Sequence, residues 1–236
     1  MNILAIGAHP DDVENTCAGA LAKFARDGHK VFIATTTNGN IGAAGMKPEE
    51  IRKIRLREAA ESAAVIGAEY FCLDHDDEML FEDRQTRMEI INLIRRCRAD
   101  LILTHDPNDY NPDHNLTGKM VNDVIVMTTV PNIVTEYSPL ENTPYIYYVD
   151  TVNGVGFIPE EYVDISDTFE IKKQMLEKHQ SQIQWMKDNY KNDKTEFFSN
   201  MEIQARYRGL QAGVAFAEGF RLPRHAFRIP TRRILP

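Results

Sequence analysis

Cysteine is scarce. Only Cys17, Cys72 and Cys97 occur in 236 residues, far apart and never as a C-x-x-C pair, which argues against a disulfide framework and a thiolate zinc site. Long apolar runs are missing too: nothing approaches the ~20 consecutive apolar residues of a membrane-spanning helix. The opening MNILAIGAHPDD has neither the basic start nor the apolar stretch of a secretion signal, so a reducing cytoplasm is the expected setting. Positive charge is short, with 27 Lys and Arg against 35 Asp and Glu and a formal net charge of −8. Nucleic acid is therefore an unsuitable partner, because binding it needs Lys and Arg along the phosphates. No repeat and no low-complexity linker breaks the chain. The first strand-to-helix turn lacks G-x-G-x-x-G and carries acids where a phosphate needs backbone N–H groups.

What is present suits one globular domain over 1–236, with 43% hydrophobic and 26% charged residues. The arginine-rich end from about 221, RLPRHAFRIPTRR, is expected to strap onto the domain or a neighbouring subunit. NILAIG, Asn2 to Gly7, reads as a buried strand, and Thr16 to Asp27 as a helix stopping at Gly28. A strand over Lys30 to Thr36 runs into a loop with Gly39, Gly42 and Gly45, either a cover for a ligand or a tolerant surface connection. A helix over Glu49 to Ile66, the strand EYFCLD, a helix over Arg84 to Arg98 and the strand ADLILTH follow. Strand and helix thus alternate, the pattern of βαβ units and a mainly parallel, Rossmann-like sheet flanked by helices. Apolar residues at 116, 120, 124 and 127 mark another helix, with His114 near its start. TPYIYYVD is a further strand, and DISDTFEIKKQMLEKHQSQIQWM one long capped helix.

Charge concentrates where strands end. AIGAHPDDVE follows the first strand, and THDPNDYNPDHNLTG the fourth. In open α/β sheets these carboxyl ends form the ligand crevice. His9 and Asp12, three apart in a tight turn, can converge on one ion, and His114 completes a His-Asp-His set. Two nitrogens, one carboxylate and a place for water describe a catalytic zinc site. Asp11, beside the ligands, is the candidate base for that water. The plainer alternative is a hydrogen-bonded structural His9, with Asp11 or Asp12 capping a helix. In the loop LDHDDEML, Asp74, His75, Asp76 and Asp77 are expected to form a solvated rim rather than a metal site.

AHPDDVE together with DYNPDH resembles the PIG-L/LmbE-like zinc de-N-acetylases, which remove acetyl groups from N-acetylglucosaminyl compounds. The resemblance implies His9, Asp12 and His114 as zinc ligands and Asp11 as general base. Arg55 falls on an arginine near the substrate. Asp109 and Asp113 are implied to orient the histidine ligand, and Gly39 to Gly45 to be a mobile substrate loop. Small-molecule amino sugars are the implied partners, and a homo-oligomer a possible assembly. One position departs: relatives commonly read H-P-D-H, whereas this chain has Asn111-Pro112-Asp113-His114. An asparagine amide can donate to an oxyanion but cannot titrate. The leaving-group proton then returns from Asp11, with His105 a second candidate that is more simply a satisfied structural residue. The rival functions are a zinc amidohydrolase acting on a non-sugar acylated metabolite and a metal-free sugar- or nucleotide-binding module.

Overall fold

The apolar runs form strands β1 (Asn2–Gly7), β2 (Lys30–Thr37), β3 (Glu69–His75), β4 (Leu101–Thr104) and β5 (Tyr145–Val149). Between and after them lie helices α1 (Asp12–Thr16), α2 (Ala18–Arg26), α3 (Pro48–Ala64), α4 (Arg84–Cys97), α5 (Pro112–Val124), α6 (Phe169–Leu176), α7 (Gln180–Asn189) and α8 (Phe197–Ala212). Two more strands, β6 (Glu161–Asp164) and β7 (Ala217–Arg221), complete one seven-stranded sheet in the order β3-β2-β1-β4-β5-β7-β6. This computed structural model describes residues 1–43, 45–189, 197–224 and 229–236. β1 pairs in parallel with both β2 and β4, and β5 in parallel with β4. Only β7 runs antiparallel to its neighbours β5 and β6. The result is the single, mostly parallel α/β domain that the alternating pattern implies.

Side chains alternate across β1. Ile3 and Ala5 join the layer of α2, α6 and α8, whereas Leu4 and Ile6 join the layer of α4 and α5. Both faces of the sheet are therefore covered, which is why its strands read as continuous apolar runs rather than alternating ones. Chain order reverses between β1 and β4, so the crevice of this sheet opens between their carboxyl ends. His9 lies just beyond one strand and His105 just beyond the other.

Two helices differ from expectation, for the same physical reason. The helix expected over Thr16 to Asp27 starts at Asp12 and breaks at Cys17. There the backbone N–H groups of Gly19 and Ala20 donate to the Glu218 carboxylate (2.9 and 2.8 Å), and the Asn15 carbonyl accepts from Lys172 Nζ (2.9 Å). Lys172 and Glu218 pair at 2.7 Å with both side chains almost fully buried. The carboxylate thus makes a fresh helix N-terminus, where its charge suits the dipole. The long helix expected over 164–186 likewise divides into α6 and α7. Glu58 of α3 accepts from the Ser181 N–H (3.0 Å) and hydroxyl (2.6 Å) and so caps α7. Distant acids restart both helices.

Residues 225–228 of the arginine-rich tail lie outside the described residues. The remainder packs on the domain: Leu235 is buried in the core, Arg221 pairs with Asp106, and Arg233 Nη2 donates to the Tyr162 carbonyl. Among the described residues no helix is long and apolar enough to cross a membrane.

Candidate active site

The turn after β1 is held by its own acid. Asp12 Oδ2 accepts from the backbone N–H groups of Ala8 (2.9 Å) and His9 (2.7 Å). His105 Nε2 stands 3.0 Å from the same oxygen and 3.0 Å from the Ala8 N–H, and its tautomer decides which it serves. Burial opposes ionisation of Asp12, but His114, His105 and His9 outweigh it and hold the carboxyl well below its usual range. Asp11 precedes it with φ 120, a left-handed value rare for a side-chain-bearing residue. Such strain costs about 1 to 3 kcal/mol and persists only where surroundings enforce it.

His9 Nδ1 lies 3.2 Å from His114 Nε2 and 3.5 Å from Asp12 Oδ2, and His114 Nε2 lies 3.2 Å from Asp12 Oδ1. Tetrahedral zinc with bonds of about 2.0 to 2.1 Å requires donor atoms about 3.3 to 3.4 Å apart; the two imidazole nitrogens stand near that spacing, and each has one or the other oxygen of Asp12 at a similar distance. Behind the donors stand further acids. His9 Nε2 is 2.9 Å from Asp77 Oδ1 and 3.4 Å from Asp113 Oδ2, and His114 Nδ1 is 3.2 Å from Asp109 Oδ2. Carboxylates behind ligand imidazoles fix ring orientation and raise basicity. Burial disfavours charge on His114, yet Asp12 and Asp109 push its pKa up to about 9. A cation among these donors would replace that proton, so the residues fit a divalent metal.

Asp109 lies beside His114 and Asp113 beside His9, and Asp77 joins them, buried rather than on a solvated rim. Asp77 is buried against His9, whereas Asp74 pairs with Arg52 and His75 with Glu89. Which face of the β3 loop turns inward depends on its neighbours, and no sequence signal carried that. Asn111 has a structural part as well. Its Oδ1 accepts from the backbone N–H groups of Asp113 (2.8 Å) and His114 (3.2 Å), capping α5, and its Nδ2 donates to Glu78 Oε1 (3.0 Å). One of the two amide N–H groups that could serve an oxyanion is thus taken up by Glu78. His105, buried and stacked on His114 with ring centroids 4.0 Å apart, is a packing partner of the ligand.

Arg55 is buried beside the two aspartates. It donates to the Pro10 carbonyl (2.6 Å), to the Gly39 carbonyl (3.4 Å) and to Asp11 Oδ1 (3.4 Å), pinning the turn that holds the two aspartates. A Cβ on Gly39 would meet the guanidinium at 2.6 to 2.7 Å, and its φ is +70, so glycine is required for the loop to cross Arg55 so closely. Burial lifts the Asp11 carboxyl to about 6 against the pull of Arg55. Beneath it lies a pair that sequence reasoning missed, His179 and Glu14, 3.4 Å apart, with Ser62 Oγ donating to Glu14 (2.5 Å). A signal existed: Met175, Leu176, His179 and Ile183 share the helical spacing of a buried face, and all are buried.

Cavities of about 480 and 780 Å³ exist elsewhere, one lined by residues such as Gln174, Glu177 and Lys178 and the other by Lys23, Glu160 and Arg233. Neither contains a metal-type donor set. The crevice does, and an open α/β sheet with two histidines and an aspartate at its switch point defines the class: an α/β protein with a candidate metal site. The family model described as PIG-L, GlcNAc-PI de-N-acetylase, matches residues 4–125. The chain belongs to that family. It is 28% identical over 232 residues to a diacetylchitobiose deacetylase of Thermococcus kodakarensis, covering 93% of this chain and 82% of that one. Its fold is similar to an inhibitor complex of N,N'-diacetylchitobiose deacetylase from Pyrococcus horikoshii, with TM-score 0.80, 25% identity and coverage of 94% and 83%. A 4-carboxy-2-hydroxymuconate hydratase from Pseudomonas putida KT2440 shares the fold at TM-score 0.80 and 20% identity, covering 98% of this chain and all (100%) of that one.

Proposed function

We propose that the protein is a zinc-dependent amide hydrolase that removes the N-acetyl group from an N-acetylglucosaminyl compound and releases acetate. The observation that carries this reading is the His9, Asp12 and His114 donor triangle, with a strained, buried Asp11 next to it. Zinc held by these three residues would polarise the acyl carbonyl and acidify a water. Asp11 takes the proton of that water as its oxygen adds to the carbonyl carbon. When the C–N bond breaks, Asp11 returns the proton to the departing nitrogen, so that water is divided between acetate and a free amine. Arg55 keeps Asp11 aimed while the pair remains out of solvent. Asp77, Asp109 and Asp113 keep the two imidazoles in their orientation.

The sugar part of the reading is supported by the family and by the two diacetylchitobiose deacetylases. A zinc amidohydrolase acting on a non-sugar acylated metabolite would use the same groups, since donors and base recognise only the amide. A metal-free module for phosphorylated ligands is disfavoured by five acids at the crevice, Asp11, Asp12, Asp77, Asp109 and Asp113. The test is an acetate-release assay on N-acetylglucosaminyl conjugates and simple N-acetyl amides, with protein stripped of metal and reloaded with zinc. Zinc-dependent release from the conjugates alone is expected. Release from simple amides alone would replace the sugar by another acyl compound, and no release with bound zinc would end the hydrolase reading.

A further inference from the structure

The loops at the carboxyl edge of the sheet carry exposed large apolar side chains. Ile41 follows β2 and is 55% exposed; Met79 and Phe81 follow β3 at 63% and 70%; Tyr110 follows β4 at 70%. Val155 and Ile158, beyond β5, are 67% and 77% exposed. These six come from four loops that meet at one edge, and that edge is the mouth of the metal crevice. The link to the site is physical. The Tyr110 ring centroid lies 6.4 Å from that of His114. The loop of Met79 and Phe81 is tied to the ligand supports: Asp77 lies against His9, and the Glu78 N–H donates to Asp113 Oδ2 (2.8 Å). Leu80 between them is buried in the core, so the loop is anchored there while its two large neighbours remain in solvent. Several large apolar side chains exposed on loops of one edge, beside a site, suit a binding surface.

Resting on the hydrolase reading above, we propose that this collar receives an apolar aglycone, an alkyl or aryl group attached to the N-acetylated sugar, and so selects glycosides over the free sugar. The occupant is part of the substrate rather than a second copy of the chain. A copy seated across all four loops would cap the crevice that the substrate must reach. An aglycone on the collar instead leaves the amide over His9, the one donor residue still partly exposed.

The test compares the zinc-loaded full chain on the methyl, octyl and p-nitrophenyl β-glycosides of N-acetylglucosamine below any micelle concentration. A KM for the octyl and aryl glycosides lower than for the methyl glycoside by roughly tenfold or more is expected, with similar kcat, as for burial of one large apolar group. Met79→Ser with Phe81→Ser should collapse that ratio. Val134→Ser, on the opposite edge and 81% exposed, should preserve it. Equal KM values for all three glycosides, or a ratio untouched by the double variant, would overturn the proposal. So would a double variant that turns a parent oligomer into monomers in sedimentation, since the collar would then be a subunit contact. If no glycoside is hydrolysed, the hydrolase reading fails by itself. Calorimetric titration with octyl and methyl β-glucosaminides then decides the collar: tighter octyl binding supports it and equal binding overturns it.

Discussion

Two adjacent aspartates have different surroundings, and the difference assigns their work. Asp12 is surrounded by N–H groups and imidazoles that favour its anion, which suits a ligand. Asp11 is buried deeply enough that its carboxyl is lifted to about 6 against the pull of Arg55, which suits a group that must take and return a proton near neutrality. Asp11→Asn keeps the shape and removes the basicity, so it should leave zinc bound and lower kcat by at least the ~10² typical of a lost general base. Elemental analysis beside steady-state kinetics checks both halves. Near-parent turnover in a zinc-loaded Asp11→Asn protein would remove Asp11 from the chemistry. His9, Asp12 and Asp11 were legible because their geometry is local to one tight turn. Asp77 was not, because its inward direction depends on β3 lying beside β2 and on His9 being within reach.

At the scale of elements, α5 begins on Asn111, whose side chain bonds the N–H of the ligand His114. Asn111→Ser retains a capping oxygen without an amide, and Asn111→Ala has neither. If the cap is the role of this residue, Ser should keep both stability and turnover, while Ala should lose about 1 kcal/mol in denaturant titration. A fall in kcat of tenfold or more in the Ser variant would restore the oxyanion role. Helix continuity was the least legible feature, because both interruptions come from acids distant in the chain, Glu218 and Glu58, which no periodicity contains.

The second interruption also brings His179 onto Glu14, and this pair makes stability depend on pH. Burial opposes charge on His179, but Glu14 outweighs it and raises its pKa; burial opposes charge on Glu14, but His179 and Ser62 lower its pKa. A raised histidine stabilises the fold below its unfolded value and loses that contribution as pH rises through its folded value. A lowered glutamate stabilises above its unfolded value and loses it as pH falls through its folded value. The pair thus contributes most between their ordinary values of 4.5 and 6.5. In metal-free protein, His179→Gln should cost about 3 kcal/mol in that window and less at alkaline pH, measured by urea unfolding across pH. A cost independent of pH would show His179 to be packing alone.

The whole molecule places the site by topology. Five parallel strands in the order β3-β2-β1-β4-β5 put their loops at one edge, and the reversal between β1 and β4 opens the crevice where His9 and His114 meet. That much was legible, because a sheet covered on both faces leaves apolar runs that announce themselves. Strands β6 and β7 were not, since Glu161–Asp164 and Ala217–Arg221 are short and find their places only through each other and β5. Metal should bind this assembled site and not the unfolded chain, because its donors come from two loops far apart in sequence. Binding to the native state alone stabilises by RT ln(1 + [L]/Kd), about 4 kcal/mol at a thousandfold excess over Kd. Zinc added to stripped protein should therefore raise Tm by several degrees, roughly 2 to 4 °C per kcal/mol for a chain of this size. His114→Ala should abolish most of that rise while the stripped variant still melts cooperatively. A full zinc-dependent rise in His114→Ala would place the ion elsewhere, among the other acids of the crevice, and would separate Asp11 from the metal it is assigned to serve.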